Sequence, residues 1–80
     1  MNNEEILDDI GALVEEERTL RQRAGTGGLL PEERTRLAEL EVRLDQCWDL
    51  LRQRRAKAEF GEDPDTAALR PAAEVESYRN

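Results

Sequence analysis

Few side chains in this sequence have the type and spacing for chemistry. Glu17 interrupts an apolar pattern where isoleucine or leucine is expected, and Cys47 lies within a second apolar pattern. A carboxylate buried alone is costly, so Glu17 should reach water or pair with a base, and Arg36 and Arg43 are the candidate bases. We favour an ion pair that fixes the register of an interface. A hydrated end of a loose bundle and a metal-binding or catalytic carboxylate are the alternatives.

The sequence gives little support for metal or nucleophilic chemistry. It contains no histidine, whereas carboxylate metal sites in four-helix bundles normally include a Glu-x-x-His element. Cys47 is expected to be a buried, inert thiol, because Asp45 and Asp49 offset the positive charge of Arg43 that would activate it. We therefore expect no cofactor, no metal and no enzymatic activity.

One basic cluster precedes Phe60 and consists of Arg52, Arg54, Arg55 and Lys57. These side chains could contact the phosphates of a nucleic acid. Alternatively, they complement the C-terminal end of a helix and pair with the acidic residues that follow, Glu62, Asp63 and Asp65. The second interpretation is favoured because 19 acids against 12 bases give a net charge of −7, which repels polyanions.

Two amphipathic helices must position these side chains. Ile6, Ile10, Leu13 and Leu20 follow heptad spacing and predict a helix over residues 3–24. Leu7 and Val14 widen its apolar stripe. The glycine-rich segment that follows predicts a turn over residues 25–30.

The second helix is predicted over residues 31–60. Pro31 suits the first helical position, and Gly61 suits the end. Its apolar residues step by three and four along the chain, namely Leu37, Leu40, Leu44, Cys47 and Leu51, with Trp48 and Leu50 beside them. It should extend about two turns past the first helix, and this extension would carry the basic cluster and Phe60.

The predicted fold is all-α, an antiparallel helical hairpin over residues 1–60 with a largely irregular C-terminal arm over residues 61–80. Asp63 could cap a short helical piece that begins at Pro64. The arm is expected either to be a solvated tail or to dock Val75 and Tyr78 on the hairpin or on a second subunit.

Both apolar stripes are wider than a two-helix contact covers, so we expect coiled-coil-like pairing of two hairpins into a homodimeric four-helix bundle. The residues expected in the core or the dimer interface are Leu7, Leu13, Val14, Leu20, Leu37, Leu40, Leu44, Cys47, Trp48 and Leu51.

Length and composition limit the function classes further. A chain of 80 residues forms one domain at most, and it contains neither a signal peptide nor an apolar run long enough to span a membrane. We expect a cytoplasmic protein that binds another protein as an adaptor or regulator, with a nucleic-acid-associated role as the alternative. The expected partner-binding residues are Arg52, Arg54, Arg55, Lys57, Phe60, Val75 and Tyr78.

The segment Leu44-Asp45-Gln46-Cys47-Trp48-Asp49-Leu50-Leu51 resembles the signature of a small actinobacterial family, the domain of unknown function 2630 family. Matching segments extend from Ile6-Leu7 through Pro31-Glu32-Glu33-Arg34 to Arg70-Pro71, so the resemblance covers nearly the whole chain. It implies a free-standing cytoplasmic bacterial protein of about this length, and it brings no activity and no catalytic residues. Arg18 stands where relatives often carry histidine, which weakens any metal role shared within the family.

Overall fold

The computed structural model describes residues 2–76 and forms an antiparallel helical hairpin with a folded-back arm. Helix α1 spans Asn3–Gly27, helix α2 spans Pro31–Glu59, and a short helix α3 spans Ala72–Glu76. A single 3-10 turn over Pro64–Thr66 lies between α2 and α3. No strand occurs within residues 2–76.

Helix α1 begins at a reciprocal cap and ends later than predicted. The Asn2 side chain accepts a hydrogen bond from the backbone N–H of Glu5 at 2.8 Å, and the Glu5 carboxylate accepts one from the N–H of Asn2 at 3.3 Å. The predicted end at residue 24 was wrong by three residues, since Gly25 and Gly27 are both helical. The helix stops at Gly28, whose φ of 81° is accessible to glycine at little cost.

Helix α2 keeps the predicted start and ends one residue early. Pro31 is its first residue, and Leu30 provides no side-chain cap. Glu33 reaches back instead, and its Oε1 accepts the N–H of Leu30 at 3.0 Å. Because α1 has 25 residues and α2 has 29, their lengths differ by only about 6 Å, so α2 extends about one turn past α1 rather than two.

Ion pairs between the two helices show their antiparallel order. Arg23 Nε lies 2.9 Å from Glu33 near the turn, and Arg21 Nη2 lies 2.6 Å from Glu41 further along. At the open end of the hairpin, Arg54 Nε donates to Asn3 Oδ1 at 2.7 Å. The start of α2 therefore lies beside the end of α1, and the end of α2 lies beside the start of α1.

The apolar core lies mainly in the half of the hairpin away from the turn. Ile6, Ile10, Leu44 and Leu50 form its buried cluster, and Leu13, Val14, Cys47, Leu51 and Ala67 pack against it. Ala67 belongs to the arm, so the arm completes the core rather than trailing from it. Nearer the turn, Leu20 and Leu40 are also buried.

The hairpin alone leaves predicted interior positions exposed. Leu7 retains 52% of its accessible surface and Trp48 retains 45%. Leu37, Leu13, Val14, Cys47 and Leu51 are half-buried. The exposure of Leu7 and Trp48 agrees with stripes that are wider than the contact between α1 and α2, and their place in a dimer interface stays a prediction.

Candidate functional site

The most connected polar cluster joins the arm to α2. Asp49 is 1% exposed, and Arg70 donates to both of its carboxylate oxygens, with the Nε bond at 2.8 Å. Gln53 Nε2 donates to Asp49 Oδ2 and to the carbonyl oxygen of Ala68, each at 2.9 Å. These bonds satisfy a carboxylate that would be costly to bury alone.

Gln46 adds a second contact to the backbone of the arm. Its Nε2 donates to the carbonyl oxygen of Arg70 at 3.2 Å. Residues 46, 49 and 53 lie three and four apart and share one side of α2. We call this the arm-bound side and define it by Gln46, Asp49 and Gln53.

Arg54 fixes the arm at a second point. Its Nη1 donates to the carbonyl oxygen of Pro64 at 3.1 Å and to Asp65 Oδ1 at 3.0 Å, while its Nε binds Asn3. Asp63 caps the 3-10 turn by accepting the N–H of Asp65 at 2.9 Å, as its sequence position predicted. One buried arginine therefore connects α1, α2 and the arm.

These contacts agree with the favoured interpretation of the basic cluster, in which it pairs with the acidic residues that follow α2. The side chain of Arg54 is only 9% exposed, so the expectation that it lies on an open surface was wrong, because it is held by Asn3 and the arm. Lys57 Nζ lies 3.9 Å from Glu62, and Arg55 Nε lies 3.4 Å from Glu59. Arg52 remains exposed.

The hydrophobic members of the predicted partner-binding set have different surroundings. Phe60 is 82% exposed just past the end of α2, whereas Val75 is 4% exposed. This burial agrees with the alternative that the arm docks Val75 on the hairpin, since α3 packs on α2, and it leaves Val75 covered rather than open to a partner. Tyr78 lies outside the described residues. We call the C-terminal end of α2 the distal end and define it by Arg55, Lys57 and Phe60.

Glu17 has a different partner from those expected. Its side chain is 24% exposed, and its carboxylate lies 3.7 Å from Arg21, one turn along the same helix. Arg36 instead binds Glu16, with Nε to Oε2 at 2.5 Å and Nη2 to Oε1 at 3.0 Å. The bond from Arg36 lowers the pKa of Glu16, and the carboxylate of Glu16 raises the pKa of Arg36. Glu17 is the residue that interrupts the apolar pattern of α1, but Arg36 pairs with the adjacent Glu16 instead.

Cys47 has the surroundings of an unreactive thiol. Burial raises its pKa, and the negative charge of Asp9 raises it further, against a smaller opposite effect of Arg43. A thiol with a raised pKa carries little thiolate at neutral pH and is a weak nucleophile. Within residues 2–76, no three histidine, cysteine, aspartate or glutamate side chains are grouped closely enough to hold a metal ion.

A groove of about 650 Å³ lies between α2 and the arm. Trp48, Arg52 and Ala56 line its α2 wall, and Arg70 and Val75 line its arm wall. Asp45, Asp49 and Gln53 also contribute to the lining. The groove places an exposed tryptophan beside an exposed arginine, two residue types that dominate binding energy at protein interfaces.

Sequence reasoning missed the contacts of Asp49, Gln53 and Arg70. The unusual density of polar residues around Trp48 was a signal, since packing between two helices needs only leucine-like residues. It did not show that a carboxylate would be matched by an arginine 21 residues later.

Comparisons with known proteins identify relatives of uncharacterized role. Residues 2–80 match the family described as protein of unknown function, DUF2630. The chain is 51% identical over 75 residues to an uncharacterized protein of Mycobacterium tuberculosis (strain ATCC 25618 / H37Rv), an alignment that covers 92% of this chain and 86% of the relative. An uncharacterized protein of Mycobacterium bovis matches with the same identity and coverage. No solved structure matches significantly.

The described helices were also compared with the requirements for a membrane span. None of the helices within residues 2–76 combines the length and the apolar character needed to cross a bilayer.

Proposed function

Because the chain belongs to the DUF2630 family, whose function is unknown, we propose from its surface that it is a non-enzymatic cytoplasmic protein that binds another protein. The observation that carries this proposal is the exposure of Phe60. A phenylalanine that keeps 82% of its surface in water at the end of a 29-residue helix contributes little to the fold. Large apolar side chains with adjacent cations are typical anchors of protein interfaces.

The condition of the acidic and thiol groups supports a binding role over a catalytic one. Asp49 is buried, and Arg70 and Gln53 occupy its oxygens. Glu17 is in an ion pair at the helix surface, and the pKa of the Cys47 thiol is raised. A general base needs an oxygen or nitrogen that can reach the substrate, and a nucleophilic cysteine needs its thiolate, so the bonded oxygens of Asp49 and the raised pKa of Cys47 both disfavour catalysis.

The ion pairs of the basic cluster favour a protein partner over a nucleic acid. Arg54, Arg55 and Lys57 each lie within 4.0 Å of a carboxylate from α2 or the arm, which lowers the positive potential that a phosphate backbone would meet. The net charge of −7 acts in the same direction at long range. We therefore assign the distal end to a protein partner.

We also propose that the protein works as a homodimer. Leu7 and Trp48 are each about half exposed, and the half-buried Val14 and Leu51 extend the same apolar strip. A second hairpin that covers this strip would remove its apolar surface from water.

The partner proposal can be tested by site-specific photocrosslinking in the cells that make the protein. A photoreactive phenylalanine analogue replaces Phe60 in one variant and Leu30 in a matched control. Leu30 is also exposed, at 59%, but lies at the opposite end of α2. We expect a crosslinked product heavier than a dimer of the chain from position 60 and none from position 30.

The same experiment can also refute the proposed binding site. Adding Lys57→Glu should weaken the crosslink from position 60, because this change reverses a charge of the distal end that takes no part in the Trp48 face described below. Equal crosslinking from positions 30 and 60, or nuclease-sensitive products from position 60, would refute a protein-binding distal end.

A further inference from the structure

One exposed face of α2 has charges arranged antisymmetrically around its tryptophan. Glu41 lies seven residues before Trp48, and Arg55 lies seven residues after it. Seven residues are close to two helical turns, so all three side chains lie on the same face. Asp45 and Arg52 lie between them and repeat the signs, with acid before Trp48 and base after it. We call this the Trp48 face: Glu41, Asp45, Trp48, Arg52 and Arg55.

Three residues of this face, Trp48, Arg52 and Arg55, are exposed in the hairpin, and Glu41 and Asp45 are half-buried. Trp48 is 45% exposed, and the side chains of Glu41 and Arg55 are 41% and 83% exposed. Their contacts within the chain, from Arg21 to Glu41 and from Arg55 to Glu59, are ion pairs at the surface. Such pairs are weak and leave both groups able to interact with an additional charge.

Apolar surface runs beside these charges. Leu7, Val14 and Arg21 are spaced by seven residues along α1, and Arg21 contacts Glu41 of the Trp48 face. The row that contains Leu7 and Val14 therefore lies alongside the Trp48 face. Leu51 adds a half-buried side chain from α2. The surface thus combines an apolar strip with a flanking row of charges, the composition of a protein interface.

An antiparallel second copy of α2 fits this charge order. With a two-fold axis at Trp48, residue 41 of each copy faces residue 55 of the other, so Glu41 meets Arg55 twice. A parallel arrangement would instead place Glu41 against Glu41 and Arg55 against Arg55, and like charges in contact across an interface are strongly unfavourable.

We propose that the Trp48 face is the homodimer contact, in which two α2 helices cross antiparallel at Trp48. This inference rests on the proposed homodimer and adds its surface, its register and its symmetry. A self-complementary patch of this kind is what a two-fold dimer requires. The two Phe60 side chains, each twelve residues from the axis, would lie about 36 Å apart and present two distal ends to partners.

A charge-exchange experiment tests the pairing. Sedimentation equilibrium gives the dimer dissociation constant of the wild type, Arg55→Glu, Glu41→Arg and an equimolar mixture of the two variants. Each variant alone should dimerise about tenfold more weakly, because both symmetry-related contacts become like-charged. The mixture should recover the wild-type constant, since Glu41 of one variant meets the unchanged Arg55 of the other, and the two exchanged residues also have opposite charges.

Circular dichroism serves as the control for folding in this experiment, because Glu41→Arg also removes the contact with Arg21. A mixture that binds no more tightly than either variant alone would overturn the proposed pairing. Variants that dimerise as well as the wild type would overturn it too.

Distances between spin labels test the register independently. In a Cys47→Ala background, a label at Ala38→Cys and one at Ala58→Cys each lie ten residues from Trp48. Both positions are exposed. Antiparallel crossing at Trp48 predicts the same interchain distance for both labels, about 30 Å. Parallel helices would give about 10 Å at both positions.

The outcomes separate this inference from the proposed function. Unequal or short distances in a stable dimer would overturn the register and leave the homodimer standing. A species of 9.2 kDa at all concentrations, with no interchain distance, would overturn both the register and the homodimer. The partner site at Phe60 is tested separately by the crosslink.

Discussion

The arm-bound side of α2 and the Trp48 face occupy the same stretch of helix, yet their polar side chains do opposite things. On the arm-bound side, Asp49 is 1% exposed and every polar group that we describe is matched by the arm. On the Trp48 face, Arg52 and Arg55 are exposed, and Trp48 itself is nearly half exposed. One short segment therefore contains both a contact that completes the fold and an exposed surface, which we propose is covered by a second copy of the chain.

This difference shows that polar residues at high density in a helix need not share a purpose. Gln46 and Asp49 hold the arm, whereas Trp48 between them points to another side of the helix. The same division separates Arg54, which joins α1 to the arm, from its neighbour Arg55. Substitutions on the two sides should therefore differ in their effect on stability.

The largest difference is expected between Arg70→Ala and Arg52→Ala. Removing Arg70 leaves the Asp49 carboxylate buried without its cation, which should lower the free energy of unfolding by about 3 kcal/mol. Arg52 is exposed, and its replacement should cost no more than about 0.5 kcal/mol. Urea denaturation followed by circular dichroism measures both, and equal losses would contradict the division of α2 into two sides.

The second comparison uses two adjacent arginines. Arg54→Ala removes three hydrogen bonds from a side chain that is 9% exposed, and it should cost about 2 kcal/mol of unfolding free energy. Arg55→Ala removes one exposed ion pair, and about 0.5 kcal/mol is the expected upper bound. The two variants should be compared at protein concentrations well below the dissociation constant of the proposed homodimer, so that loss of self-association does not contribute. A larger loss for Arg55→Ala would reverse our assignment.

The smallest effect is expected from pH. The bonds from Arg70 hold the pKa of Asp49 below its ordinary value of 3.8, despite burial, which acts in the opposite direction. A carboxyl whose pKa is lowered in the folded state stabilises the fold at pH values above its ordinary pKa. This contribution is lost as the pH falls through the lowered pKa. The difference in unfolding free energy between wild type and Asp49→Asn should therefore be constant near neutral pH and shrink in acid.

A control variant shows whether the change in unfolding free energy in acid comes from Asp49. The wild type and Glu39→Gln should be compared over the same pH range, because Glu39 is an exposed acid on the same helix whose ion pair is with Arg36 rather than with a residue of the arm. A difference between wild type and Asp49→Asn that stays constant down to the most acidic pH would show that the charge of Asp49 does not hold the arm.

Much of the fold was predictable from periodicity. The second helix was placed within one residue of its observed end, because proline, glycine and an unbroken apolar repeat all mark its limits. The first helix continued through Gly25 and Gly27, since glycine is only mildly unfavourable in a helix and only Gly28 adopts a positive φ. Local signals in the sequence therefore predicted the type of each element more accurately than its length.

The candidate site was less predictable because its contacts are distant in sequence. Arg54 and Asp65 are 11 residues apart, and Asp49 and Arg70 are 21 apart, with an irregular segment between them. Charge alone predicted that the basic cluster pairs with the acidic residues after α2, but no periodic pattern connects Asp49 with Arg70, so this second contact of the arm could not be predicted. The exposure of Phe60 agreed with expectation because a residue just past a helix end has few neighbours to cover it.

The most direct test of the central claim uses the single tryptophan as a reporter. Acrylamide quenching of Trp48 fluorescence should be measured over a wide range of protein concentration, with the Arg55→Glu variant in parallel. If the Trp48 face is open in the hairpin and closed by a second copy, quenching falls as the wild-type dimer forms, and it falls at higher concentration for the variant. Quenching that is independent of concentration in the wild type would contradict the account.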